Sequence, residues 1–272
     1  MRLLAWDTSS KAGALCAIQV QDAHSTPELV SEWALNVDAT HSERLLWAID
    51  ELLEASRWKL EDIDIFAVGV GPGSFTGLRI GVATARTLAH SLKKPLIGIS
   101  SLAALARPTA EWAIQKSKDT LIVASTDACK GELFALWGGA SAVRNCVAVA
   151  DEASPGLWKR GVEEEVVRPE DLVKSLKKKL SKAGTRWIAV GEGRNRYDDV
   201  WKTLPAAKEL PAPIPFSSQI QGRYVGLLAL EAYRAGLALD PLTIHPRYVR
   251  VADAELKLKA GLLPPGPTRG HP

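Results

Sequence analysis

The sequence has little cysteine and no pattern typical of a metal site. Its 272 residues include three cysteines, Cys16, Cys129 and Cys146, and no two of them have the C-x-x-C spacing of a zinc or redox site. The five histidines are scattered and form no H-x-x-x-H or H-E-x-x-H pair on one helical face. We therefore expect a reduced protein without structural disulfides, cofactor or metal.

Long apolar runs and a strong charge bias are also missing. No stretch of about 18 apolar residues predicts a membrane span, and no signal peptide precedes Asp7. The net charge of +3 is too small to indicate nucleic-acid binding by itself. With 46% hydrophobic residues, the chain can bury the core of one large domain or two lobes. We expect a cytoplasmic protein.

Basic residues cluster at positions 174–182. Leu172, Val173, Leu176 and Leu180 recur through this segment at helical spacing. The pattern favours the solvated face of an amphipathic helix.

The hydrophobic pattern predicts a duplicated α/β fold. In the first half it predicts strands over residues 3–8, 13–20, 28–35, 63–70 and 96–99, and helices over 42–56, 76–92 and from 101. In the second half it predicts strands over 121–126, 132–137, 145–150 and 187–190, and helices over 170–182 and 223–235. Each half begins with a strand that ends in an aspartate, Asp7 or Asp127, before a turn and a second strand. We expect a loop over 204–215 and a disordered end over 263–272.

A glycine-rich turn joins the predicted buried strand to the helix that follows it. Its residues are Gly71, Pro72, Gly73, Ser74, Phe75, Thr76 and Gly77. Glycines permit positive φ and close backbone approach, and free N–H groups at a helix start can bind an anion. The alternative is a tight turn capped by Ser74 or Thr76. The spacing matches neither a Walker loop nor G-x-G-x-x-G.

Small residues recur every four positions along the next helix, at Gly77, Gly81, Ala85 and Ala89. Glycine in a helix interior costs roughly 0.5–1 kcal/mol relative to alanine. Close approach of another helix would offset that cost, and the other helix could belong to this chain or to another subunit. The aspartates Asp7 and Asp127 could position a metal and phosphate, but they also suit turns.

Four segments of the first half form a specific set: Asp7-Thr8-Ser9, His41-Ser42-Glu43-Arg44-Leu45, the run from Gly69 to Gly81 containing G-P-G-S-F-T-G-L-R-I-G, and Gly98-Ile99-Ser100-Ser101-Leu102. Together they closely resemble the TsaB (formerly YeaZ) family. The resemblance covers residues 3–105 well. It is weaker in the second half, where Asp127 to Phe134 matches but Cys129-Lys130 replaces the usual arginine. Gly191-Glu192-Gly193 and the segment from His245 to Arg250 also resemble the family.

The resemblance implies an actin/Hsp70-like (ASKHA) α/β fold with two related lobes of mixed sheet flanked by helices. We assign residues 1–105 to the first lobe, 106–250 to the second and 251–272 to a tail. Family members act in making threonylcarbamoyladenosine at position 37 of tRNAs reading A-starting codons. They pair with the catalytic paralogue TsaD, which the ATPase TsaE joins. Ser101 and Leu105 stand where the resemblance places two metal-binding histidines of TsaD, so a non-catalytic subunit is expected.

The resemblance suggests two sets of site residues. The expected partner interface comprises His41, Leu45, Leu46, Ile49, Leu53, Gly73, Phe75, Gly77, Arg79, Gly81, Ala85 and Leu88. The chain could self-associate through the same face or contact tRNA within the complex. Gly81→Leu is expected to abolish pairing while the monomer stays folded. A vestigial nucleotide site would comprise Asp7, Thr8, Ser9, Asp127, Gly191 and Gly193. Alternatives are a stand-alone ATPase or small-molecule kinase, with phosphates near Asp7, Asp127 and 191–193, or a metallopeptidase.

Overall fold

A computed structural model describes residues 1–22, 25–36, 41–117, 119–146, 162–211, 218–238 and 240–249. The strands within these ranges are β1 (Arg2–Asp7), β2 (Ala12–Gln19), β3 (Glu28–Asn36), β4 (Ile65–Gly71), β5 (Leu96–Ser100), β6 (Thr120–Cys129), β7 (Glu132–Gly139), β8 (Val162–Val167) and β9 (Arg186–Val190). The α-helices are α1 (His41–Ser56), α2 (Phe75–Ser91), α3 (Ser101–Lys116), α4 (Ala140–Arg144), α5 (Pro169–Leu180), α6 (Glu192–Arg196), α7 (Asp198–Trp201) and α8 (Gly222–Arg234).

The first sheet has the strand order β3-β2-β1-β4-β5. Its first three strands form an antiparallel meander, and β4 and β5 add to β1 in parallel. The central strands β1 and β4 are buried on both faces, which explains their unbroken apolar sequences. Helices α1 and α2 cover one face, where they pack around Trp6 and Phe66. Helices α3 and α8 cover the other face.

The second sheet repeats this topology without the fifth strand. Its order is β8-β7-β6-β9, with β6, β7 and β8 antiparallel and β9 parallel to β6. The order corresponds to β3-β2-β1-β4 of the first sheet, as the repeated strand–aspartate–turn pattern predicts. Helix α5 packs on this sheet through Leu172, Val173, Leu176 and Leu180.

The third strand of the second half differs from the sequence prediction. It is β8, Val162–Val167, whereas Asn145 and Cys146 lie outside any strand and 147–150 fall outside the described residues. Its sequence, Val-Glu-Glu-Glu-Val-Val, has three consecutive glutamates, which hide the period-2 pattern of a strand. An edge strand tolerates such charges because one side of it has no neighbouring strand.

Two elements from the second half return to the first lobe. Helix α8 packs on β1 and β2, where Gly222 and Gly226 let it approach Leu15 and Cys16 closely. The segment 240–249 also returns, and the Arg247 amide donates to the Val70 carbonyl at 2.8 Å. The predicted boundary at residue 105 falls within helix α3. The predicted tail lies outside the described residues, and none of the described helices is long and apolar enough to cross a membrane.

Candidate functional site

The glycine-rich turn between β4 and α2 is tied to the turn after β1. Gly71 has φ of +104° and a cis peptide bond to Pro72. The Ser74 hydroxyl caps α2 by accepting from the Gly77 amide at 3.3 Å, and the Ser74 amide donates to the Ser9 carbonyl at 2.6 Å. A Cβ atom at Gly73 would lie 2.3 Å from that same carbonyl. This geometry matches the alternative of a tight turn capped by Ser74, and three of its amides, those of Gly71, Ser74 and Gly77, are used within the chain.

Asp7 holds the ends of three elements together. Its Oδ1 accepts from the amide and the hydroxyl of Ser9, and its Oδ2 accepts from the Ser101 hydroxyl at 2.5 Å. The Ser101 hydroxyl in turn accepts from the Gly71 amide at 3.1 Å. Any side chain at Gly69 would collide with Asp7, since its Cβ would lie 1.8 Å from Oδ2. The buried Asp7 carboxylate therefore links β1 to the end of β4 and the start of α3.

The small-residue face of α2 packs against β1 and its turn. The Thr8 hydroxyl donates to the Gly77 carbonyl at 2.7 Å, and the Trp6 indole donates to the Gly81 carbonyl at 3.1 Å. A Cβ atom at Gly81 would lie 2.2 Å from Thr8 Oγ1. The close neighbour of Gly81 is therefore a residue of this chain at the end of β1, and it is not part of a helix. Our expectation that a helix offsets the cost of this glycine is corrected here.

The structure divides the expected interface residues into a buried and an exposed group. Leu45, Ile49, Leu53, Gly77, Gly81 and Ala85 are buried in the first lobe. Gly73 and Leu88 are partly buried, and the side chain of His41 lies outside the described part of the structure. Leu46, Phe75 and Arg79 are exposed. The buried residues hold α1 and α2 on the sheet, so among the described side chains the exposed ones offer the most surface to a partner.

Phe75 and Arg79, both named in the expected interface, form an exposed group with Tyr248, which sequence reasoning missed. The rings of Phe75 and Tyr248 are 4.8 Å apart, and the Arg79 guanidinium lies 3.8 Å from the centre of the Phe75 ring. Arg79 Nε also donates to the Tyr248 hydroxyl at 3.0 Å. The resemblance near His245 was the one signal that could have drawn attention to Tyr248.

Large exposed apolar side chains concentrate on this side of the first lobe. Seven occur among the described residues, and five of them belong to α1, to α2 or to the segment 240–249 that packs on α2. We call these five the outer patch: Leu46, Trp47, Phe75, Leu242 and Tyr248. The elements that carry them pack on the same face of the first sheet, since Leu45, Val82 and Ile244 share one core cluster. A face with several exposed apolar side chains is a candidate protein–protein contact site.

The predicted nucleotide-site residues of the second lobe also have partners within the chain. The Asp127 carboxylate pairs with Arg196 at 3.3 Å and accepts from the Tyr197 hydroxyl at 3.2 Å. Gly191 has φ of +94°, and a Cβ there would lie 2.1 Å from the Ser125 carbonyl. Gly193 likewise leaves room for the Ser125 side chain. Both glycines thus permit close contact between α6 and β6.

A cleft of about 260 Å³ lies beside Gly191. Arg194 lines it, but its guanidinium pairs with Asp198 at 2.5 Å and with Glu209 at 3.2 Å. The guanidinium charge is therefore neutralised by two carboxylates of the same cleft.

Ser101 and Leu105, which stand at the positions of the TsaD histidines, are both engaged in packing. Ser101 bonds to Asp7, and Leu105 lies against Gly191 of the second lobe. Within the ranges that the structure covers, no group of three or more His, Cys, Asp or Glu residues is placed to hold a metal ion.

A buried carboxylate connects the two lobes. Glu164 on β8 accepts from the Ser100 hydroxyl at 2.8 Å and pairs with Arg247. Burial raises the pKa of Glu164 to about 7, although Arg247 and the Ser100 hydrogen bond act in the opposite direction. This contact joins the second sheet to the end of β5 and to the returning segment 240–249.

Comparison with known proteins agrees with this architecture. Residues 35–190 match the family described as "TsaD: tRNA N6-adenosine threonylcarbamoyltransferase". The "tRNA threonylcarbamoyladenosine biosynthesis protein TsaB" of Escherichia coli is 29% identical, over 84% of this chain and 91% of that protein. The protein of the same name from Haemophilus influenzae is 32% identical, over 71% of this chain and 75% of that protein.

The solved structure "YeaZ from Pseudomonas aeruginosa" has a TM-score of 0.65 at 23% identity, and the match covers 91% of this chain and 99% of that one. The predicted actin-like fold of two mixed sheets flanked by helices is confirmed. On the breadth and level of these matches, the chain belongs to the TsaB (YeaZ) family.

Proposed function

We propose that this chain is the non-catalytic subunit required for threonylcarbamoyl transfer to N6 of adenosine 37 in tRNAs reading A-starting codons. It acts by pairing with a TsaD-like catalytic subunit, and a TsaE-like ATPase joins the pair. The observation that carries the role in tRNA modification is the similarity, over most of the chain, to relatives named as tRNA threonylcarbamoyladenosine biosynthesis proteins.

The outer patch supports pairing through the first lobe. Helices α1 and α2 bury one side against the sheet and leave Leu46, Trp47 and Phe75 exposed, each at 40% or more. A partner that covers these side chains removes apolar area from water, which stabilises the complex. Arg79 beside Phe75 adds a fixed cation, and Arg with aromatic residues is typical of the strongest contacts in protein interfaces.

The non-catalytic role is supported by how the positions of the two TsaD histidines are used here. The Ser101 hydroxyl is committed to the Asp7 carboxylate, and Leu105 has no ligand atom. Ser101 instead fixes the ends of β1 and β4 within the first lobe, and Leu105 packs against Gly191 of the second lobe. In this proposal the chain supplies a rigid surface that keeps the partner's active site in its productive shape.

Reconstitution tests the proposal. Purified catalytic paralogue, ATPase, acyl donor and unmodified tRNA are combined with and without this chain, and modified adenosine is quantified. We expect transfer only when both this chain and the paralogue are present. Equal transfer without the chain would refute the requirement, and transfer by the chain alone would refute the non-catalytic role.

A matched pair of variants tests the pairing surface in the same assay. Leu46→Asp places a charge in the outer patch, whereas Leu29→Asp places one on β3, where Leu29 is 39% exposed and lies outside the patch. We expect Leu46→Asp to lower transfer at limiting chain concentration and Leu29→Asp to leave it unchanged. If both variants behave like the original chain, a different surface makes the contact.

A further inference from the structure

Positive charge is concentrated in one short segment of the second lobe. Residues 168–186 contain seven basic and two acidic side chains, a net charge of +5, whereas the whole chain has a net charge of only +3. The remainder of the molecule is therefore slightly acidic. A charge distribution this uneven indicates a binding partner of opposite charge, and it says nothing about the fold.

Helix α5 displays this charge on the face opposite its core contacts. Leu172, Val173, Leu176 and Leu180 are buried, as the helical spacing predicts. Five lysines on the helix or just after its end are exposed, and one of them, Lys179, lies over the Trp137 ring. The other four have no such contact with a described ring. We call them the lysine face: Lys174, Lys177, Lys178 and Lys182.

The lysine face has no role in folding that the structure shows. Among the described residues, no carboxylate lies within 4.0 Å of any of the four ammonium groups, whereas the neighbouring Arg194 and Lys202 both pair with Asp198. Lys174 and Lys178 are one turn apart, about 6 Å along the axis, where like charges repel and weaken the helix. An external anion would remove this repulsion.

A repeating anion fits the lysine face better than a single small one. The four ammonium groups follow the helix and its end, and lysine binds phosphate as a compact point charge. A lipid surface fits poorly, because the apolar residues of α5 are buried and none remains to insert into a bilayer. The phosphate backbone of RNA supplies the spaced negative charges.

We infer that the lysine face contacts the phosphate backbone of the substrate tRNA. The inference rests on the proposed function, in which tRNA is the substrate of the assembly. The outer patch lies on the first lobe and the lysine face on the second, so a protein partner and the RNA can be bound at the same time. Phosphate contacts of this kind position a nucleic acid without reading its sequence.

The test uses the reconstituted assembly with the variant Lys174→Glu/Lys178→Glu/Lys182→Glu. We expect KM for tRNA to rise by about tenfold or more while kcat at saturating tRNA stays unchanged, since the lost contacts position the substrate only. The slope of log affinity against log salt should fall by about 2, because each phosphate contact contributes roughly 0.7–0.9.

The control carries the same charge change on exposed lysines outside the lysine face, as Lys11→Glu/Lys93→Glu/Lys116→Glu. Its KM for tRNA should stay within about twofold of the original assembly, because the contact is local. An equal rise in KM for both variants would show an effect of net charge alone and would overturn the inference.

Two further outcomes would also overturn it. One is an unchanged KM and salt slope in the lysine-face variant. The other is unchanged tRNA affinity together with lost binding to anionic phosphatidylserine vesicles or to the ATPase, which would assign the face to a membrane or a protein. If the original assembly shows no transfer at all, the proposed function fails instead, so the two failures are distinguishable.

Discussion

The close contact between helix α2 and Thr8 predicts an unusual response to mutation at Gly81. Replacing glycine by alanine in a helix interior normally stabilises a protein by roughly 0.5–1 kcal/mol. Here the new methyl group would lie 2.2 Å from Thr8 Oγ1, well inside van der Waals contact. The Thr8 side chain must then rotate, and its hydrogen bond to the Gly77 carbonyl is lost.

The size of the effect follows from these opposing contributions. Losing a buried hydrogen bond and over-packing the site cost about 1–3 kcal/mol, which exceeds the gain in helix propensity. We expect Gly81→Ala to lower the free energy of unfolding by about 1–2 kcal/mol. Gly81→Leu should cost more, so our earlier expectation that this variant leaves the monomer folded is replaced by an expectation of a destabilised monomer.

A double-mutant cycle, measured as free energies of unfolding in urea, tests whether Thr8 is the reason for a glycine at position 81. Thr8→Ala alone loses the hydrogen bond and should destabilise the protein. In that background the obstructing oxygen is absent, so adding Gly81→Ala should stabilise the protein by roughly 0.5–1 kcal/mol. The effect of Gly81→Ala should therefore change sign between the two backgrounds. The same sign in both would refute the assignment of Thr8 as the reason for the glycine.

Two other predictions follow from single contacts. Gly73→Ala places a methyl group 2.3 Å from the Ser9 backbone carbonyl and should lower the free energy of unfolding by about 2 kcal/mol or more, whereas Gly139→Ala, which enters open space, should change it by less than about 0.5 kcal/mol. Equal effects in urea unfolding would argue against the tight turn. Glu164 has a pKa of about 7 in the folded protein, above its ordinary value of 4.5, so the folded state binds its proton more tightly than the unfolded state does. Stability should therefore fall as the pH rises from about 4.5 to 7, by about 2–3 kcal/mol relative to Glu164→Gln. Parallel stability curves for the two proteins would show that burial does not raise this pKa.

Much of the fold was predictable from hydrophobic periodicity. The strands and helices of the first half agree with the structure to within about two residues at most ends, since their sequences are either continuously apolar or clearly helical. The duplicated topology followed from the similar placement of Asp7 and Asp127. Strand β8 was missed because its three glutamates carry no strand signal without knowledge of its edge position.

The site was less predictable, because it depends on contacts between distant segments. The sequence placed Gly81 on a stripe of small residues, but only the structure shows Thr8 as its neighbour. Spacing alone could not separate the buried Leu45 from the exposed Leu46 in their roles toward a partner. Tyr248 was missed because it contacts Phe75 although more than 150 residues separate the two in the sequence.

Pairing through the outer patch is the central claim, and a binding titration tests it most directly. The purified chain is titrated against the TsaD-like paralogue, alongside the double variant Leu46→Asp/Phe75→Asp and the control Leu29→Asp. All three chains should show the same circular dichroism, because these side chains are exposed. We predict that the double variant raises Kd by about 100-fold or more, consistent with two lost apolar contacts at an interface, and that the control matches the original chain. A double variant that binds with unchanged Kd would contradict the claim.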